Sequence, residues 1–134
     1  MRACLTTILL LAAPAAASAT TVTVHNRSAA PVRLAVDKSP NGYEEYLRPV
    51  MGPGLISSVR KPNGKVLMPH AQADQASFVI RYVDEQGSGC RFSVLPVRHS
   101  GAYTRALPVA EPIGDGRCEA TTGSTIGDFV FMVR

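Results

Sequence analysis

Short runs in which apolar and polar residues alternate one by one recur along this chain, and that period excludes a helical fold. Val22 and Val24 alternate with Thr21, Thr23 and His25, and Val32, Leu34 and Val36 alternate with polar or small neighbours. Successive side chains of a strand point to opposite faces, so this pattern specifies strands with one dry face and one wet face. The turn-rich connector between these two runs predicts that they pair as an antiparallel hairpin. Residues 77–83 make the strongest central strand, with Phe78, Ile80 and Tyr82 on one face and Val79, Arg81 and Val83 on the other. Cys90, Phe92 and Val94 share a face of residues 90–97, and Phe129, Phe131 and Val133 share a face of residues 128–134.

Further strands are predicted at residues 55–60 and 65–68, flanking a turn at Pro62, Asn63 and Gly64. Residues 103–109 read as a short strand that Pro108 places at a sheet edge. Residues 117–121 supply another. Residues 44–47, just before Pro49, read as one helical turn. Pro, Gly and Asn punctuate the chain at 39–42, 51–54, 62–64, 87–89 and 114–116. Eight or nine short strands with turns between them predict an all-β chain, a small antiparallel β-sandwich, with a small barrel as the alternative. No tryptophan is present, so any likeness to an immunoglobulin domain is one of architecture. The opening segment, from Val22 through Asn26 to Leu34, resembles the first hairpin of many exported β-sandwich proteins.

Residues 1–19 read as a cleaved signal peptide. Arg2 supplies the positive start, residues 5–13 an apolar stretch, Pro14 a break, and Ala17, Ser18 and Ala19 the small-residue cleavage pattern. The apolar stretch is shorter than the roughly 20 residues that span a bilayer. The expected mature chain is a single β-sandwich domain, residues 20–134, in the bacterial periplasm or secreted. Cys4 leaves with the signal, and Cys90 and Cys118 remain as an even pair in an oxidising compartment, which predicts one disulfide. No Cys-x-x-Cys is present to suggest redox catalysis.

The 14 Lys and Arg less Arg2 leave 13 against 10 Asp and Glu, a net charge near +3 for residues 20–134. That mild excess lacks the dense basic clustering of a nucleic-acid binder. Its placement is more telling. Residues 46–73 contain Arg48, Arg60, Lys61 and Lys65 and no acid, and residues 86–110 contain Arg91, Arg98 and Arg105 and no acid. If the two stretches lie on neighbouring strands they form one basic face. Arg60, Lys61, Arg91, Arg98, Tyr103 and Arg105 are then the candidate binding residues, because Arg and Tyr are favoured interface anchors. The plainer alternative is a solvated, salt-screened surface.

Chemistry-bearing motifs are sparse. His25, His70 and His99 show no metal-ligand spacing, and surface positions account for them. Met51, Met68 and His70 hint at a copper site, against which core packing of the methionines is the simpler reading. Ser100 adjoins His99, but neighbouring strand residues face opposite ways, and no Gly-x-Ser-x-Gly elbow exists. Glu44 with Glu45, and Asp84 with Glu85, sit in polar loop-like sequence, unlike a glycosidase pair. The two glycine-flanked turns, at 87–89 and 114–116, read as hairpin turns and lack the helix of a phosphate loop. Asn26, Arg27 and Ser28 match the glycosylation triplet, which carries meaning only in a eukaryotic secretory route. The expected function is therefore a non-enzymatic module, with no cofactor and no metal, that binds a protein as an inhibitor or immunity protein does; an acidic protein, an anionic glycan and a lipid headgroup of the anionic envelope surface are the options for a basic face. The alternatives are an accessory subunit of an envelope or secretion assembly, a periplasmic copper binder, or a hydrolase of unrecognised type.

Overall fold

In the computed structural model, the residues described are 20–38, 45–61, 78–99, 102–123 and 128–134. Among them every regular element is a strand, nine in all: β1 (Thr20–Asn26), β2 (Val32–Lys38), β3 (Val50–Met51), β4 (Ile56–Lys61), β5 (Phe78–Val83), β6 (Gly89–His99), β7 (Ala102–Ile113), β8 (Cys118–Thr122) and β9 (Asp128–Val133). They form two sheets in a sandwich-like all-β arrangement, one ordered β4-β1-β9-β8 and the other β3-β2-β5-β6-β7. The predicted partner strand at 65–68 and the Pro62–Gly64 turn lie outside the described residues. The predicted helical turn at 44–47 is a turn at Glu45 and Tyr46, after which Leu47 drops into the core.

The alternation in sequence becomes the core. Val22 and Val24 of β1 and Phe129, Phe131 and Val133 of β9 face Phe78, Ile80 and Tyr82 of β5 and Cys90, Phe92 and Val94 of β6 in one buried cluster. Phe131 links the layers: its ring stacks on Phe92 at 4.8 Å and lies 6.3 Å from Phe78. Aromatic pairs at such spacing add about 0.5–1.5 kcal/mol each beyond their burial. On β2 the pattern fades outward: Val32 is fully buried, Leu34 partly, and Val36 is 41% exposed beside a bulge between Val36 and Lys38.

Two expectations are corrected. Strands β1 and β2 do not pair: β1 lies between β4, antiparallel, and β9, parallel, while β2 lies in the other sheet between β3 and β5. Their connector crosses between layers. Either arrangement buries the valine faces, so alternation alone does not choose between them. The turn at 114–116 likewise carries the chain from β7 in one sheet to β8 in the other, whereas the 84–88 turn is the expected hairpin between β5 and β6. The strand predicted at 103–109 is longer than expected, but it does occupy an edge.

Two links hold the layers at one end. The disulfide joins Cys90 of β6 to Cys118 of β8, with Cα atoms 5.8 Å apart, and so connects the sheets. Close backbone approach beside it requires glycine: a Cβ on Gly116 would sit 1.9 Å from the Gly89 carbonyl oxygen. Asn26, only 1% exposed, is the second link. Its Nδ2 donates to the carbonyls of Ala30 (2.9 Å) and of Met51 in β3 (2.8 Å), and its Oδ1 accepts from the backbone N–H (3.0 Å) and hydroxyl (2.7 Å) of Ser28. Both amide hydrogens are used and the side chain is enclosed, so the Asn26 triplet is sequestered from modification.

Closing a loop with a sequence separation of 28 stabilises a chain by about 3–4 kcal/mol in the loop-entropy model. Cys90→Ser should lower the unfolding free energy by about that amount in denaturant melts, and added reductant should reproduce the loss in the native protein. Asn26→Ala removes all four hydrogen bonds of this enclosed side chain and should cost about 2–3 kcal/mol, read in the same melts.

Candidate binding surface

The six candidate residues divide between the two sheets. Arg60 and Lys61 end β4, opposite Thr21 and Thr20 of β1. Arg91 and Arg98 lie on β6, and Tyr103 and Arg105 on β7. The strand β8, at one edge of the four-stranded sheet, packs beside β7, which leaves β4 at the far edge of that sheet. Among the described residues the two acid-free stretches are therefore not on neighbouring strands, and no single basic face joins them.

Arg91 belongs to a neutral ladder. Cross-strand register sets Arg81 opposite Arg91 and Arg91 opposite Glu111 on the outer face of the five-stranded sheet. The Arg91 guanidinium pairs with the Glu111 carboxylate and lies 3.8 Å from Asp37, which also accepts from Arg81 at 2.9 Å. Two arginines on the inner strands β5 and β6 are flanked by one carboxylate from β2 and one from β7. Glu111 stands one residue beyond the acid-free stretch, so counting charge along the chain overlooks the acid that register places beside Arg91.

Arg98, Tyr103 and Arg105 are brought together. Arg98 is registered with Tyr103, Arg105 with Val97, and His99 with Ala102, with an irregularity between Val97 and Arg98. The β5 strand pairs with β6 only from Gly89 to Val94. Among the described residues, β6 from Leu95 to His99 pairs with β7 alone, as a two-stranded ribbon. Leu95 and Leu107, paired at its base, are both partly exposed, which sets an apolar step next to the basic segment.

Of the other chemical candidates, Glu44, Met68, His70 and Ser100 lie outside the described residues. Met51 is fully buried in the core. Asp84 shapes its turn: Oδ1 accepts from the N–H groups of Gln86 and Ser88, each at 2.9 Å. Ser88 then ties this hairpin to the crossover turn by accepting from the Asp115 N–H at 3.2 Å. These loops, with Ser28 and Arg134, line an open cleft of about 250 Å³ at the disulfide end. Among the described residues no group of three His, Cys, Asp or Glu side chains is placed to hold a metal ion. Tyr82 is buried, which pushes its phenol upward, and its hydroxyl donates to the Arg48 carbonyl at 2.8 Å.

His25 is on the outer face of β1, as the alternation predicts. Partial burial, and then the Arg27 charge, hold its pKa below the ordinary 6.5. The unfolded chain then binds the proton more readily, so stability falls as pH drops below about 6.5 toward the folded-state value. Melts between pH 7.5 and 5 should show a decline that His25→Gln flattens; an unchanged slope would assign the decline to other groups. Comparison with protein-family models, curated proteins and solved structures found no match for this chain.

Proposed function

We propose that the chain is exported through the signal at residues 1–19, and that residues 20–134 act in the periplasm or outside the cell. There they form a non-enzymatic binding module of immunoglobulin-like architecture. Its partner is an acidic protein, held in the manner of an inhibitor or immunity protein, and its docking element is the β6–β7 ribbon. The observation that carries this reading is the register that groups Arg98, Tyr103 and Arg105 on a ribbon whose stretch of sequence, 86–110, holds no acid. The disulfide favours an oxidising compartment. The neutral ladder around Arg91 favours the ribbon over the sheet face as the electropositive element.

The test uses immobilised protein and periplasmic extract at low and high salt. Native protein should retain a partner at low salt. Arg98→Glu with Arg105→Glu should lower that retention by about tenfold or more, since reversed interface charges slow association and raise its cost. Capture that is equal for both proteins, or equal at both salt concentrations, would overturn the ribbon as an electrostatic docking element. Alanine at His25, His70 and His99 should leave capture intact, and loss on those changes would favour an enzyme or metal protein.

A further inference from the structure

A sheet edge recruits another strand only if its outward backbone groups are available, and the four edges here differ in that respect. Strand β3 is two residues long. Strand β8 packs beside β7. Strand β7 is long, but its prolines act on its free side. The Asp84 N–H donates to the Ser88 carbonyl, which fixes the β5–β6 ladder on even-numbered residues. The odd-numbered residues of β6 then turn their N–H and C=O groups to β7. Pro108 is registered with Val94 and Pro112 with Cys90, on the even phase. Both therefore remove donors from the outer edge of β7 without breaking the β6–β7 ladder. Pro96 of β6 falls on the same phase, opposite Ala106.

Among the described residues, strand β4 carries no such guard. The Asn26 N–H donates to the Leu55 carbonyl at 3.0 Å, and Val24 is registered with Ser57. That phase turns Ser57 and Val59 toward β1 and leaves the N–H and C=O groups of Ile56, Ser58 and Arg60 at the outer edge. Among the described residues no strand pairs with that side. The side chains of the same three residues face outward, Ile56 at 51% exposure, while Ser57 and Val59 are buried against the core. An apolar position at one end of the edge and a cation at the other give an incoming strand a direction.

We infer that β4 is an acceptor edge for an extended segment of a partner protein, antiparallel, with an acidic residue opposite Arg60 and an apolar one opposite Ile56, four positions later. The segment's intervening positions, opposite Ser57 and Val59, take β-branched apolar side chains that extend the core edge. The charge is complementary because Arg48, Arg60 and Lys61 lie in a span, 46–73, without any acid. Main-chain hydrogen bonds supply the affinity and the alternate side chains the selectivity. This edge is in the other sheet from the ribbon, so each can fail while the other stands.

The probe is a seven-residue peptide, threonine, glutamate, valine, threonine, valine, isoleucine and threonine in order, titrated into the full-length mature chain and followed by amide NMR. Saturable shifts on Ile56, Ser58 and Arg60 are expected, with slowed exchange of those three amides. Ser58→Pro removes one outward donor at an edge that tolerates proline, and should weaken binding roughly tenfold or more. Ser58→Ala keeps that donor and loses only the 2.9 Å contact with Thr23, so it should bind as the native chain does. N-methylation of the peptide's central amide should abolish binding, which tests the inference even if Ser58→Pro does not fold. Arg60→Glu should weaken binding and remove its salt dependence. Equal affinity for Ser58→Pro and the native chain, or for the methylated peptide, would overturn the inference. So would slow exchange of the Ser58 amide without peptide, which means that another part of this chain or a second copy already covers the edge.

Discussion

The contact between two apolar sheet faces, centred on Phe131 between Phe92 and Phe78, is the constraint from which the rest follows. Each sheet has one dry face, and neither is stable in water alone. Pressing them together buries Val22, Val24, Ile80, Tyr82 and Val94 completely. The strands that contribute these residues come from distant parts of the chain, so the core is assembled from long-range pairing. The connections must then run between layers, and three of them, after β1, after β3 and after β7, do so within a few residues.

Those short crossings need polar support. Asn26 satisfies the crossing after β1 from inside, with four hydrogen bonds at a nearly closed site. The disulfide supports the crossing after β7, with Gly89 and Gly116 giving the backbone clearance. Both lie at one end of the sandwich, where β1 ends beside Val133 and Val133 is registered with Cys118. The β6–β7 ribbon is directed toward the opposite end of the five-stranded sheet. The braced end and the ribbon are thereby separated, and a docking contact at the ribbon need not disturb the brace.

Charge on the outer surface shows how pairing alters the meaning of a sequence. Arg91 and Arg98 occupy the same acid-free stretch and the same strand. Arg91 is neutralised by acids delivered from β2 and β7, while Arg98 is registered opposite Tyr103 in the ribbon. Linear spacing treats the two alike, and the cross-strand neighbour separates them. Arg60 and Lys61, grouped with them by composition, belong to the other sheet.

The amino-acid sequence determined the all-β class, the inward set on β5, β6 and β9, the edge position of the Pro108 strand and the pairing of the two cysteines. Each of these depends on period, proline or cysteine count, which are local quantities. Only the tertiary structure decided that β1 and β2 part into different layers, that β1 runs parallel to β9, and that Asn26 closes the crossing between layers. It also decided that the arginines fall on three separate surfaces. The physical reason is that a strand's alternation specifies which side is buried and carries no record of which neighbour buries it, because any apolar face serves and the choice rests on the whole chain's packing.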